Sequence, residues 1–236
     1  MKLDPGFIVT AFFSLFSALP VTLVLTAVSV FVGFIIGTIV ALVRFFEIPV
    51  LGTIAKIYVV FIRGTPMLTH LLLIYFGITT IIDVLVPFFG WTFTSSIIPL
   101  IDFAFLSLSI TAGAYLSEVI RSGLLAVDKG QLEAAYSIGM TTPKALIRIV
   151  FPQALAASVP NLSNLLIGML HGTTLVFALS VVDINAKAQI VASSNWKFFE
   201  SYIAAAVIYW GLTILIERIS GLFEARINRF TRGGVA

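Results

Sequence analysis

The sequence predicts an all-α integral membrane protein with five membrane-spanning helices and a short amino-terminal helix. The first observation behind this prediction is composition: the 236 residues are 59% hydrophobic and only 11% charged, whereas soluble domains contain about 25% charged residues. The second is that the apolar residues form stretches as long as the roughly 20 residues that cross a bilayer as a helix. A soluble protein is therefore excluded. The net charge of +3 is too small to predict nucleic-acid binding.

The predicted elements follow the apolar stretches in chain order. A leading helix is predicted at residues 6–18, and Pro20 separates it from the first span. The charge-free run 5–43 is far longer than the apolar core of a signal peptide, so we expect it to be retained. Segment 81–99 contains prolines and aromatic residues, which predicts an interfacial or re-entrant connection. The five spans are predicted at residues 20–43, 55–80, 100–124, 154–182 and 198–222.

Basic residues are distributed asymmetrically between the two sides of the predicted bundle. Ten lysine and arginine residues lie in the connections after spans one, three and five, against three at the amino terminus and after spans two and four. Since short cytoplasmic connections are rich in lysine and arginine, the amino terminus is predicted outside and the carboxyl terminus in the cytoplasm. Residues 1–236 are predicted to form a single transmembrane domain in the cell membrane.

A few charged and small residues interrupt the apolar spans. Glu118 and Arg121 are three residues apart, which places them on one face of span three in a structural role. Arg63 precedes a Gly-Thr-Pro sequence that predicts a kink. Its side chain is expected to extend toward the cytoplasmic headgroups, with a pairing to Glu118 left open. Gly33 and Gly37 are predicted to be helix-packing positions on span one.

Between spans three and four lies a charged segment that is predicted to fold as two short helices. Residues 131–138 are good helix formers, and Gly139 is placed where a helix ends in a left-handed turn. The second helix is predicted to begin at Thr142 and to end before Pro152. One stripe of this segment, at helical spacing, contains Leu132, Ala135, Tyr136 and Gly139. Such a shallow stripe favours docking of another protein. A helical loop that only covers the base of the bundle is the alternative.

Residues 130–152, GQLEAAYSIGMTTPKALIRIVFP, resemble the EAA signature of the permease subunits of binding-protein-dependent ABC importers. Phe151 replaces the leucine of that signature. The resemblance implies the type I ABC importer permease architecture, with segment 130–152 seated on cytoplasmic ABC ATPase subunits. It also implies a second permease subunit, in a homo- or heterodimer, and an extracytoplasmic solute-binding protein. The signature positions that match, and therefore the predicted ATPase-coupling residues, are Glu133, Ala134, Ala135, Gly139, Ile149 and Pro152.

Three further stretches resemble the polar amino acid branch of that family. They are FIRGTPMLTHLLLIYFG (61–77), GAYLSEVIRSGLLAVDKGQ (113–131) and PQALAASVPNLSNLLIGMLHGTTL (152–175). Near the end of the last one, His171 replaces the usual lysine, and Thr173 and Thr174 follow it in a threonine-rich pattern. The resemblance implies a polar amino acid as substrate, with L-cystine as a specific possibility.

Span four also contains a polar stripe. Asn161, Asn164, Gly168 and His171 are spaced three or four residues apart, and lipid cannot satisfy such groups. They are predicted to line the substrate path, together with Tyr115 on span three and the two threonines after His171. The alternative is that these side chains hydrogen-bond across a helix–helix interface. No second histidine lies at metal-ligand spacing from His171, so neither a metal site nor a cofactor is predicted.

The predicted function is thus that of a permease subunit of an ATP-driven importer, and not that of an enzyme. The sequence contains no nucleophile–base constellation and no G-x-x-x-x-G-K-[ST] phosphate loop, so the ATPase must be a separate chain. The alternative from another class is a self-sufficient secondary transporter or channel for a small polar solute. Dependence of transport on ATP separates the two functions.

Overall fold

The computed structural model describes residues 3–232, with side chains for residues 3–227. Within this range the chain is helical apart from short connections and contains no strand. Five helical segments are long and apolar enough to cross a membrane, which confirms the predicted all-α fold class. These segments are Pro5–Phe45, Met67–Phe88, Leu100–Leu125, Thr142–Leu179 and Phe198–Ile227.

The amino-terminal helix and the first span form one continuous segment. Helix α1 (Pro5–Leu15) begins at the N-cap Asp4, whose Oδ1 accepts a hydrogen bond from the backbone N–H of Phe7 at 3.1 Å. A 3₁₀ turn joins α1 to α2 (Leu19–Phe45). The predicted separation at Pro20 is therefore only a tighter turn, because proline is tolerated in the first turn of a helix.

The second predicted span, 55–80, was wrong at both ends. Helix α3 (Leu51–Gly64) is separate, and the membrane-spanning helix α4 (Met67–Phe88) begins after an extended backbone at Thr65 and Pro66. Pro66 lacks an N–H and disfavours helix at the preceding residue, so the predicted kink is a complete break. Helix α4 also continues through 81–88, where a broken connection was predicted. Pro87 lies one residue before the end of the helix, so the backbone hydrogen bond that it cannot donate is lost only in the last turn.

The third and fourth spans are joined by the segment predicted to couple to an ATPase, residues 130–152. Helix α5 (Leu100–Leu125) is followed by α6 (Lys129–Ser137), α7 (Thr142–Ala145) and α8 (Phe151–Gly172). A π-helical turn connects α7 to α8, and a 3₁₀ turn extends the helical segment to Leu179. The predicted end before Pro152 was wrong. The wider π turn precedes this proline and relieves the crowding between its ring and the previous turn.

Two helices complete the described chain. Helix α9 (Ile184–Ser193), which the sequence did not predict, begins at the N-cap Asp183, and α10 (Phe198–Arg232) extends beyond the predicted span 198–222. Lys197 Nζ lies 2.6 Å from Oδ2 of Asp4 and thereby joins the start of α10 to the start of α1. This hydrogen bond is the main reason that the pKa of Asp4 lies below its usual value.

The centre of the bundle is the close packing of α2 against α5. A Cβ atom added at Gly33 would lie 2.5 Å from the Cβ of Ala112. A Cβ atom at Gly37 would lie 2.9 Å from the carbonyl oxygen of Gly113 and 3.0 Å from the backbone nitrogen of Ser117. The prediction that both glycines are packing positions is confirmed, because only glycine lets the two backbones approach this closely.

Replacing Gly37 by alanine is expected to destabilise the protein by about 2 kcal/mol, because the new methyl group meets backbone atoms that cannot move aside. Denaturant unfolding in detergent micelles measures this loss. Gly77→Ala is the matched control, since nothing lies within 4 Å of a Cβ at that position in α4. Equal stability of the two variants would contradict the packing argument.

Candidate functional site

A cavity of about 450 Å³ opens between α3, the start of α4, α5 and α8. Its walls combine apolar side chains of α4, α5 and α8 with polar groups from α3, α5 and α8. Such a mixture of apolar walls and a few polar groups is typical of small-molecule sites. The lining residues are Arg63, Met67, Tyr115, Glu118, Val119, Asn161, Asn164, Leu165, Gly168 and Met169.

The break between α3 and α4 positions the basic side chain of the cavity. Arg63 lies in the last turn of α3, so its guanidinium extends toward α5. The guanidinium carbon lies 5.7 Å from the centre of the Tyr115 ring, and Nη1 lies 3.8 Å from Oε1 of Glu118. The pairing that the sequence left open therefore exists, and Arg63 is a cavity residue that sequence reasoning assigned only to a structural break.

Glu118 is the centre of a cluster of three arginines. Arg44 of α2 donates a hydrogen bond to Oε1, and Nη2 of Arg121 lies 3.3 Å from Oε2. Arg63 is the third cation. The side chains of Arg44 and Glu118 are only 16% and 22% exposed, so this carboxylate is held in place from several sides. The cluster joins α2, α3 and α5 at the end of the bundle from which α6 and α7 project.

Asn161, Asn164 and Gly168 lie on the face of α8 that lines the cavity, and Tyr115 faces them from α5. All four are exposed in this single chain. Within the described side chains, neither asparagine amide makes a hydrogen bond to another residue. Both amides are therefore available to a solute in the cavity. The alternative, in which these side chains hydrogen-bond to a neighbouring helix, is not observed within the described part of this chain.

The other three predicted path residues lie outside this cavity. His171 Nε2 lies 3.3 Å from Thr213 Oγ1, and the imidazole contacts the ring of Tyr209, also on α10. Thr173 is buried and donates to the carbonyl of Leu170, while Thr174 donates to the carbonyl of His171. Asn164 and His171 are seven residues apart, so their side chains point within about 20° of each other, but His171 lies about 10 Å farther along α8, beyond the lining of the cavity.

A buried polar cluster next to His171 was missed by sequence reasoning. Asp183 is fully buried and accepts hydrogen bonds from the N–H of Ala186 and the hydroxyl of Tyr209. Burial raises the pKa of the Asp183 carboxyl above its usual value. The backbone N–H of Ile184 donates to Thr22 Oγ1 at 3.1 Å. The cluster fastens the start of α9 to α2 and α10. An aspartate followed by helix formers is the N-cap signal that could have revealed it.

The predicted coupling segment forms a compact helix–turn–helix. Asp128 caps α6 by accepting a hydrogen bond from the N–H of Gly130 at 2.6 Å. Gly139 has a φ of +78°, which confirms the predicted left-handed turn. The N–H of Met140 donates to the carbonyl of Ala135, and the Tyr136 hydroxyl donates to Thr142 Oγ1 across the turn. These bonds hold α6 and α7 in one fixed arrangement.

Burial separates two faces of this segment. Leu132 and Ala135 pack inward, so the stripe predicted as a docking surface lies partly against the bundle. Ala135 is only 1% exposed. The exposed side carries Glu133, Ala134 and Gly139 together with large apolar side chains, and Ile138 is 73% exposed. Ile149 is partly buried and Pro152 is exposed.

Within residues 3–227, no three His, Cys, Asp or Glu side chains are grouped closely enough to hold a metal ion.

The fold and the cavity define a polytopic membrane transport subunit, in which a polar cavity inside a helical bundle adjoins a projecting helix–turn–helix. The chain belongs to the family of binding-protein-dependent transport system inner membrane components, whose model matches residues 33–229. It is therefore a multi-pass inner membrane protein and a permease subunit, not an enzyme.

Relatives and solved structures support this assignment. "Probable amino-acid permease protein YxeN" of Bacillus subtilis (strain 168) is 38% identical over 227 residues, which cover 96% of this chain and 97% of the relative. "L-cystine transport system permease protein TcyL" of the same organism is 36% identical over 89% of this chain and 86% of its own length. A crystal structure of an amino acid ABC transporter with histidines superimposes with a TM-score of 0.81 at 35% identity, covering 96% of this chain and 100% of that one.

Proposed function

We propose that this chain is the translocating subunit of an ATP-driven importer of polar amino acids. The observation that carries the proposal is the exposed helix–turn–helix of α6 and α7 at the same end of the bundle as the Glu118 cluster. Several exposed apolar side chains in one short segment, here Tyr136, Ile138 and Ile147, are typical of a surface that another protein covers. The permease names of the relatives support the same function.

In this proposal the coupling segment, residues 130–152, seats on a cytoplasmic ABC ATPase subunit. The α6 end of the bundle is then cytoplasmic, with the amino terminus outside and the carboxyl terminus inside. The distribution of basic residues supports this orientation, because Arg44, Arg121, Lys129, Lys144 and Arg148 all lie near that end. A second permease subunit and an extracytoplasmic binding protein complete the assembly. All of residues 1–236 act as one permease domain.

The cavity between α3, α5 and α8 is the proposed substrate site. A zwitterionic amino acid carries a carboxylate and an ammonium group, and both need partners away from water. Arg63 supplies a cation for the carboxylate, while Asn161 and Asn164 supply amide oxygens and N–H groups for either end. The relatives include an L-cystine permease, which makes L-cystine the first substrate to test.

The proposal is tested by reconstituting the chain with candidate ATPase and binding-protein partners in proteoliposomes. Uptake of labelled L-cystine, glutamine, arginine and histidine is measured with ATP on the α6 side. Uptake that requires ATP is expected. Uptake that is independent of ATP would instead favour a self-sufficient secondary transporter. That alternative has little support inside the bundle, because Glu118 already pairs with Arg44 and Arg121.

Asn164→Leu tests the substrate site directly. The KM for uptake is expected to rise about tenfold, the loss that follows from removing one hydrogen bond to a charged group. Ser163→Leu is the matched control, because this neighbouring residue on α8 does not line the cavity. An unchanged KM in Asn164→Leu, or the same rise in both variants, would show that the cavity is not part of the substrate path.

A further inference from the structure

A second cavity, of about 490 Å³, lies at the α6 end of the bundle and shares no lining residue with the proposed substrate site. It is enclosed by the last turn of α2, the loop 46–50, the first turns of α3 and the side chain of Arg121 on α5. We call it the α2–α3 pocket. Its charged side chains are Arg44, Glu47, Lys56 and Arg121.

The α2–α3 pocket has a surplus of positive charge. Arg44 and Arg121 share the carboxylate of Glu118, which is not part of the pocket lining, with Arg63. Lys56 forms no salt bridge within the described side chains. With Arg63 included, four cations against the two carboxylates of Glu47 and Glu118 leave two positive charges unbalanced. An anion entering the pocket therefore gains attraction that these residues do not already satisfy.

Arg121 supplies a second observation that points to a ligand. Its Nε is buried, yet it meets no hydrogen-bond acceptor among residues 3–227. A buried donor without an acceptor is costly, so such atoms are rare unless something else satisfies them. The Arg121 side chain as a whole is 34% exposed, and guanidinium N–H groups match the geometry and charge of a phosphate.

The surroundings of the pocket are apolar and exposed. On the outer face of α3, Leu51, Ile54 and Ile57 are 52%, 58% and 64% exposed, and Val50 in the preceding loop is 72% exposed. Exposure of such an apolar face to water is unfavourable, whereas the acyl chains of lipids cover it without a cost in free energy. A ligand that combines an anionic group with apolar chains matches both parts of this surface.

At the rim of the pocket, the backbone has an uncommon conformation at Val50 and Glu47. Their φ angles are +64° and +51°, and a β-branched residue rarely adopts such values. Strained positions of this kind cluster at ligand sites, where the surrounding structure holds them in place.

We propose that the α2–α3 pocket binds the phosphate group of an anionic phospholipid from the cytoplasmic leaflet. Lys56 and Arg121 contact the phosphate, and the acyl chains lie along the exposed apolar face of α3. Basic pockets between transmembrane helices on this side of a membrane are a known means of binding anionic headgroups. The proposal uses the orientation given above but needs neither ATP nor transport, so its test is separate from that of the importer function.

Native mass spectrometry of the full-length chain in detergent provides the test. The chain is titrated with phosphatidylglycerol and, separately, with phosphatidylcholine of the same acyl chains. Phosphatidylglycerol is expected to bind more tightly. Lys56→Gln should weaken its binding about fivefold and Lys56→Glu about 30-fold, since one basic residue near an anionic surface contributes about 1 kcal/mol. Lys56 is exposed, so neither change disturbs the core.

Lys144→Gln and Lys144→Glu are the matched controls, because Lys144 is an exposed lysine of α7 outside the pocket. They should leave phosphatidylglycerol binding unchanged. The proposal would be overturned by equal affinity for the two lipids, by an equal loss in the Lys144 variants, or by no loss in Lys56→Glu. A large excess of inorganic phosphate is expected not to displace the lipid. Displacement by inorganic phosphate would assign the pocket to a free anion instead of a membrane lipid.

Discussion

ATP-dependent uptake is expected to fall about tenfold in Gly139→Val, while membrane insertion and yield stay unchanged. Gly139 adopts a φ of +78° at the turn between α6 and α7. A side chain in the left-handed region costs about 1–2 kcal/mol, which corresponds to roughly a tenfold loss of the native turn. Nothing lies within 4 Å of a Cβ at this position, so the effect arises from the backbone and not from a clash.

Gly139→Asn is the control for this prediction, because asparagine tolerates the left-handed conformation better than other residues. Its uptake should remain close to that of the unmodified chain. Uptake is measured in proteoliposomes with the ATPase and binding-protein partners, and co-purification of the ATPase is followed in parallel. Equal uptake in the valine and asparagine variants would show that the fixed angle between α6 and α7 is not needed for coupling.

Glu118→Gln is expected to give the largest loss of stability, about 3 kcal/mol. Breaking a buried ion pair by removing one partner typically costs about 3–5 kcal/mol, and the lower end applies because Glu118 is partly exposed. Glutamine keeps the shape of the side chain but leaves Arg44, Arg63 and Arg121 without their shared carboxylate. Three neighbouring cations then repel one another where α2, α3 and α5 meet.

Denaturant unfolding in detergent micelles measures this loss. Glu217→Gln makes the same chemical change at an exposed position of α10 and should alter the free energy of unfolding very little. High salt should reduce the difference between Glu118→Gln and the unmodified chain, because ions screen the repulsion between the arginines. Equal stability of the two variants would mean that the cluster does not hold the helices together.

The spans were predictable because lipid-facing apolar stretches are the dominant signal in this sequence, and most boundaries followed from it. The exceptions have local causes. Hydropathy continues across Arg63 to Pro66, so the separate helices α3 and α4 looked like a single span. Pro87 suggested a broken segment, although it lies one residue before the end of α4 and removes a single backbone hydrogen bond from the last turn. Segment α9 was missed because Asp183 was not interpreted as an N-cap.

The candidate site was only partly predictable. The face of α8 with Asn161, Asn164 and Gly168 followed from helical spacing. His171 shares the direction of Asn164, but spacing alone does not show where along α8 the cavity ends. Arg63 could not be placed in the cavity from sequence, because its position depends on the tertiary contact between α3 and α5. In the same way, the pairing of Glu118 with Arg121 was the part of the cluster that the sequence predicted, because these two residues are three apart on one helix.

The unbroken helical segment from Thr142 to Leu179 has a mechanical consequence. Its 38 residues begin in the coupling segment, pass the cavity at Asn161 and Asn164, and end beside the buried Asp183 cluster. At 1.5 Å per residue the segment is about 57 Å long. If it tilts by about 5° around one end, its other end therefore moves by about 5 Å. A force applied at α7 therefore reaches the cavity and the far side of the bundle through covalent backbone alone, without relay by loosely packed side chains.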